Sequence, residues 1–159
     1  MKSSNMSGIE TVLISPTRVT PATVTTKTVP RLNINVLFTS VGATLTALKQ
    51  AGTLANQLEA HINLLVLQVV PYPLPLDSPP VSVAWNERRL RVIASESPVE
   101  TKIHLYFCRD LFETLLSMLK PRSVVVIGGR RRWWWPTPEK ALARSLRHAG
   151  HEVIFTGTE

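Results

Sequence analysis

The sequence predicts an α/β domain built on an open parallel sheet, and three observations carry that expectation. Val124-Val125-Val126-Ile127 is a continuous branched apolar run closed by Gly128-Gly129, the pattern of a strand buried on both faces near the centre of such a sheet. An amphipathic helical pattern ending near Ala60 is followed at once by a second apolar run, Ile62 to Val70, which gives a β-α-β unit of parallel handedness. Strand and helix patterns then alternate to the end of the chain, five strands and four helices in all.

A chain of 159 residues that is 44% hydrophobic suits one domain with a real core. Its single cysteine, Cys108, has no internal disulfide partner, and no apolar stretch of about 18 residues could span a bilayer. Lys2 is not followed by an apolar region before Gly8, and Ile9 to Ile14 is too short for a secretory leader, so a soluble cytoplasmic protein without a transmembrane segment is expected. The net charge is +7, and its placement is uneven: Lys120 to Arg147 holds eight basic residues against one acid, Glu139. That local positive field favours an anionic partner, although a solvated surface has the same composition.

Met1 to Arg31 is rich in Ser, Thr and Pro and has no helical period. It cannot bury enough apolar surface to offset the entropy of ordering, so residues 1–31 read as a flexible tail before a domain over 32–159. Within the tail, Ile9 to Ile14 has the composition of a weak edge strand. Asn33 to Ser40, with Ile34, Val36, Leu37 and Phe38, is the first strand of the domain and turns at Val41-Gly42. Thr44 is the candidate cap of a helix whose Leu48, Ala51, Ala55 and Leu58 recur at helical spacing. Ile62 to Val70 is the second strand. Prolines from Pro71 to Pro80 then forbid ladder and helix, and Ser78-Pro79 makes a helix start. Val83, Leu90, Val92 and Ile93 support a less regular helix over Val81 to Ser97. Lys102 to Phe107 alternates apolar and polar, the habit of an edge strand with one less covered face. Asp110 caps a short leucine-rich helix that Pro121 stops. After the Val124 strand, Thr137-Pro138 opens a helix with Leu142 and Leu146 inward; Gly150 ends it, and His151 to Thr156 is the last strand.

In open α/β sheets the ligand crevice lies beyond the carboxyl ends of the strands, where strand order reverses. Here the segment leaving the Val124 strand, Gly128 to Pro136, is the most basic and aromatic part of the chain. Arg130, Arg131 and Arg132 have the forked donors that clamp a phosphate, or else form a solvated positive loop. Trp133, Trp134 and Trp135 offer rings for stacking or for a membrane interface, and at least one of three in a row must pack inward. Neighbouring Arg and Trp can also satisfy each other through cation–π contact. His148 and His151 straddle Gly150 with no further ligand cluster, so no metal site is expected. Cys108 has only Arg109 to activate it, and no Ser-His-Asp order, paired-acid constellation or Walker loop is present, so no catalytic residue is named.

Asn35-Val36-Leu37-Phe38, the helix ending Leu54-Ala55-Asn56-Gln57-Leu58 and the run Asn63-Leu64-Leu65-Val66-Leu67 together resemble the opening of a universal stress protein domain. The Val124 to Gly128 strand, Ala143-Arg144-Ser145-Leu146-Arg147-His148-Ala149 and the final apolar strand resemble its end. The resemblance covers residues 33 to 157 and rests on pattern and order. It implies a three-layer α/β/α, Rossmann-like fold of the adenine nucleotide alpha hydrolase type, with strand order 3-2-1-4-5. It also implies a homodimer through the last strand, His151 to Thr156, and, in one branch of the family, ATP held between strands one and four.

The chain departs from that branch. Val41 stands where the ATP motif has Asp, Arg131 replaces its second glycine, and Glu139-Lys140 replace its Gly-Ser pair. An arginine side chain obstructs the close approach of backbone N–H groups to phosphate that glycines allow. The Gly128 to Trp134 stretch is closer to the Gly-x-Arg-Arg-x-x-Trp loop in the stress-protein-like module of potassium sensor kinases, which implies a regulatory role. The expectation is thus a non-enzymatic regulatory or interaction domain with an anion site at Val41, Gly42, Gly128, Gly129 and Arg130 to Arg132. A degenerate ATP site with slow hydrolysis, or a basic–aromatic surface for nucleic acid or anionic lipid carried by Trp133 to Trp135, are the alternatives.

Overall fold

The computed structural model describes residues 11–14, 32–76, 82–130 and 136–158. Their elements are β1 Thr11–Ile14, β2 Asn33–Leu37, α1 Val41–Leu58, β3 His61–Val69, α2 Val83–Ser95, β4 Thr101–Cys108, α3 Leu111–Met118, β5 Val124–Arg130, α4 Pro138–His148 and β6 Glu152–Thr158. The sheet runs β1-β4-β3-β2-β5-β6. Five of these strands, β2 to β6, are mutually parallel. Counted from β2 they stand in the order 3-2-1-4-5, with β2 at the point where the direction of winding reverses. The first strand of the domain and the Val124 strand are therefore neighbours, with Ile34 opposite Val124 and Leu37 opposite Ile127, and the Ile62 run lies on the other side of β2.

Alternation along each strand sends side chains to opposite faces, and each face has its own core. Ile34, Val36, Ile62, Leu64, Ile103, Leu105 and Val126 pack with the Ala47, Leu48, Ala51 and Ala55 stripe of α1 and with Leu90 and Ile93 of α2. Leu37, Leu65, Val125 and Ile127 pack with Leu115 of α3 and with Ala143 and Leu146 of α4. The result is a three-layer α/β/α fold.

Several expectations are corrected. Thr11–Ile14, inside the stretch read as a tail, forms a strand antiparallel to β4, with Thr11 opposite Leu105 and Ile14 opposite Lys102. Lys102 to Phe107 is therefore not the edge of the whole sheet. An unpaired parallel-sheet edge offers a ladder to an extended segment, and Thr11–Ile14, within the run that reads as a weak edge strand, takes it. The rest of residues 1–31 lies outside the described residues, as does the Ser78-Pro79 helix start. The less covered face of β4 is as expected, with Lys102 exposed and His104 and Tyr106 half-buried. Leu58 and Val92, read as inward, are exposed: Leu58 is the last residue of α1, and α2 buries Leu90, Ile93 and Ala94 instead.

The helix starts follow cap chemistry, with one change. Ser40, not Thr44, caps α1, its Oγ accepting from the Ala43 N–H at 3.4 Å, while Thr44 is fully buried one turn inward. Thr137 caps α4, with Pro138 in its first turn. Asp110 caps α3, its Oδ1 accepting from the Glu113 N–H at 2.7 Å. Asp110→Ala is expected to cost about 1 kcal/mol of unfolding free energy in urea titration, with the transition slope unchanged.

Candidate functional site

The larger correction concerns the glycine pair. β5 does not end at Ile127: Gly128, Gly129 and Arg130 continue the ladder opposite Thr156, Gly157 and Thr158 of β6. Both glycines are buried strand residues, and internal packing explains why they are glycines. A Cβ on Gly128 would lie 2.1 Å from the Ala43 carbonyl oxygen, so the first turn of α1 sits directly on the Gly128 backbone. A Cβ on Gly129 would lie 2.6 Å from Cζ of Phe155 and 3.2 Å from Cβ of Glu139. The close approach that a phosphate would need at Gly128 is already made by a helix.

Hydroxyl groups stitch this end of the sheet. The Thr39 Oγ1–H donates to the Gly128 carbonyl at 2.7 Å, tying the segment after β2 to β5. The Thr39 N–H donates to Thr44 Oγ1 at 3.2 Å, which satisfies the buried hydroxyl. β2 and β5 thus leave the sheet as one unit, and α1 departs from it in a fixed direction.

Beyond that unit, Ser40, Gly129, Arg130, Thr137, Pro138 and Glu139 line a hollow of about 440 Å³. Two helix starts meet there. α1 opens at Ser40 and α4 at Thr137, each bringing the partial positive charge of its N-terminus, and Arg130 is exposed at the end of β5. Among the described residues of this lining, Glu139, half-buried in the first turn of α4, sets the one opposing charge. A larger hollow of about 710 Å³ shares Pro138 and Glu139 and extends across Leu37, Phe38, Leu67, Leu111, Phe112 and Leu142. Its walls are mostly apolar, with Asp110 and Glu139 as its charged groups, so it suits a neutral apolar body and not an anion.

No family model matches the chain, and no curated protein matches it either. What can be said of its chemistry comes from the residues themselves.

The structure brings Gly128, Gly129 and Arg130 of the expected site to one end of the sheet, with Gly42 in the first turn of α1. Gly42 is exposed with open space where a Cβ would stand. Val41 is half-buried and packs toward the α1-side core. Arg131, Arg132, Trp133, Trp134 and Trp135 lie outside the described residues. The pairs that bind the crevice together, Thr39 with Gly128 and Ser40 with Ala43, were missed by sequence reading. Two consecutive hydroxyl residues after a strand are the cue, since one of them is well placed as a helix cap.

Among the described residues no cluster of three His, Cys, Asp or Glu side chains could hold a metal. His151 is buried, its Nδ1 accepting from the Ser123 N–H at 3.3 Å, a structural use. Cys108 is buried, and burial pushes its thiol up; a Thr114 hydrogen bond opposes this and the Asp110 charge adds to it. A thiol kept protonated in this way is a poor nucleophile. No helix among the described residues is long and apolar enough to cross a membrane.

Proposed function

We propose that this chain is a non-enzymatic regulatory or interaction domain of the universal stress type that holds an anionic ligand, or a phosphate-bearing partner, beyond β2 and β5. The observation that carries this reading is the meeting of two helix N-termini and the Arg130 guanidinium around one hollow. The five parallel strands in the order 3-2-1-4-5 support it, because they set this hollow at the reversal of the strand order. Dimerisation through β6 belongs to the same reading: among the described residues β6 ladders with β5 alone, and a second copy would add to its other side.

The residues do not fit the family's usual ATP site. Val41 offers no carboxylate, and the backbone surface of Gly128 is filled by Ala43. A phosphate group here would contact the mouth of the hollow, at Arg130 and the capped helix starts, and would not lie in a glycine cradle.

A thermal-shift panel tests the reading with inorganic phosphate, ATP, a cyclic dinucleotide and anionic-lipid vesicles. At least one phosphate-bearing probe is expected to raise the melting temperature saturably, as a ligand of the native state must. Changing Arg130, Arg131 and Arg132 together to Ala is expected to abolish that shift while leaving the circular dichroism spectrum intact. A shift that survives the triple change moves the site elsewhere. A response to ATP alone favours the nucleotide alternative, and a response lost steeply with added salt favours a nucleic-acid surface, where counterion release drives binding.

A further inference from the structure

The opposite end of the sheet carries a second polar hollow. About 440 Å³ in volume, it lies at the amino ends of β2, β3 and β4, where the turn from α3 to β5 closes over them. Its inner wall is an asparagine pair. Asn35 and Asn63 stand directly opposite each other in the β2–β3 ladder, each inside an otherwise apolar run. Asn35 is 8% exposed, and both ends of its amide are engaged: Nδ2 donates to the Val124 carbonyl at 3.3 Å and Oδ1 accepts from Asn63 Nδ2 at 3.4 Å. Asn35 is therefore fixed, and it fixes Asn63. After that bond the Asn63 amide keeps its carbonyl oxygen and one N–H, the donor and acceptor needed to pair with another amide edge.

A buried amide costs free energy that Val or Leu would not, so a buried Asn35 paired with a half-buried Asn63 at one register marks a place where polarity has a use. The neighbouring strand adds aromatic surface. His104 and Tyr106 of β4, opposite Leu65 and Leu67, lie with their rings parallel, 7° between planes and 6.3 Å between centroids. Cations stand on the far rim: Lys120 and Arg122 are both exposed. Arg122 has φ 57°, a left-handed conformation that glycine adopts freely and arginine does not. An arginine thus stands where backbone geometry alone favours glycine.

We propose that this hollow binds a small planar ring bearing a carboxylate, with an amide-type edge of the ring paired to Asn63. The ring face would meet the His104 and Tyr106 side, and the acid would meet Arg122 and Lys120. The three contacts are of different kinds and come from three segments, β3, β4 and the turn before β5, which is how compact pockets orient a ligand. The site is at the other end of the sheet from Arg130, so it stands or falls independently of the anion site above.

Titration of the whole chain, followed by NMR, separates the contributions with three probes: orotate, which has both lactam edge and carboxylate; uracil, which lacks the acid; and benzoate, which lacks the lactam edge. Orotate is expected to bind saturably and to shift the Asn63 side-chain amide and Tyr106 ring signals, with uracil and benzoate about tenfold weaker or worse. Asn63→Leu and Arg122→Gly are each expected to weaken orotate by about tenfold. Arg122→Gly relieves the left-handed backbone, so it is expected to melt no lower than the parent, and a loss of binding there cannot be ascribed to unfolding. Arg130→Ala is expected to leave orotate binding unchanged. Absence of saturable binding by all three probes, equal binding of orotate and uracil, or full affinity in both Asn63→Leu and Arg122→Gly would each overturn the proposal.

Discussion

Gly128→Ala is expected to lower the unfolding free energy by about 3 kcal/mol, read as a shift of the urea midpoint at unchanged slope. Two effects compete at this position. Alanine is worth roughly 0.5–1 kcal/mol over glycine inside a strand, because it has less conformational freedom to lose. Against that, the added methyl would stand 2.1 Å from the Ala43 carbonyl oxygen and 2.5 Å from its carbon, which are backbone atoms with no rotamer to change. Relief requires moving the first turn of α1, and Thr39 and Ser40 hold that turn. The steric term wins. Gly129→Ala is expected to be milder, since its nearest neighbour is the rim of the Phe155 ring, which can rotate away. Gly42→Ala is expected to be neutral or slightly stabilising, as nothing stands within 4 Å of the added atom. If the Gly128 variant proved as stable as the parent, the first turn of α1 would be free to withdraw and a glycine cradle for phosphate would again be open.

Leu146→Ala is expected to cost about 2–5 kcal/mol and to loosen α4 before the rest of the sheet. Only Ala143 and Leu146 are fully buried along α4, and Leu146 is 0% exposed. Leu146 is therefore the one large side chain of α4 wholly within the core of Val125, Ile127 and Val153, with Leu142 packed partly against it. α4 also brings Thr137 and Glu139 to the carboxyl-end hollow, so the packing defect reaches the candidate site. Amide exchange resolves the two levels. α4 and β6 are expected to exchange faster in the variant, while β2 and β3 follow only the global loss. Equal acceleration in all four strands and helices would mean that α4 is not a separable unit.

How far the site could be read from sequence differs from residue to residue. The sequence reads Gly128 as a glycine lining an anion site, whereas the group lying against it is the carbonyl of Ala43, brought there by the β2–α1 turn. A linear pattern shows the absence of a side chain without showing what fills the space. Gly128-Gly129 reads as a strand terminator, which puts Arg130 in a loop. It ends β5 because β6 offers partners as far as Thr158. The pairing of Asn35 with Asn63 has no signal in the linear pattern, since it depends on a register fixed only when β2 and β3 align.

The order and type of the parallel strands and the helices between them were set by local means: two-residue and 3.6-residue apolar periods, prolines that stop helices, and Asp110 and Thr137 as caps. These act within a few residues, so the sequence alone was enough for them. Tertiary structure decided what joins distant residues. It docked Thr11–Ile14 on β4, seated α1 on Gly128, made Ser40 and Thr137 neighbours of Arg130, and set two asparagines side by side at the far end of the sheet. Those arrangements follow from which strands exchange ladder hydrogen bonds, a choice made by burial of both sheet faces at once and written in no single stretch of chain.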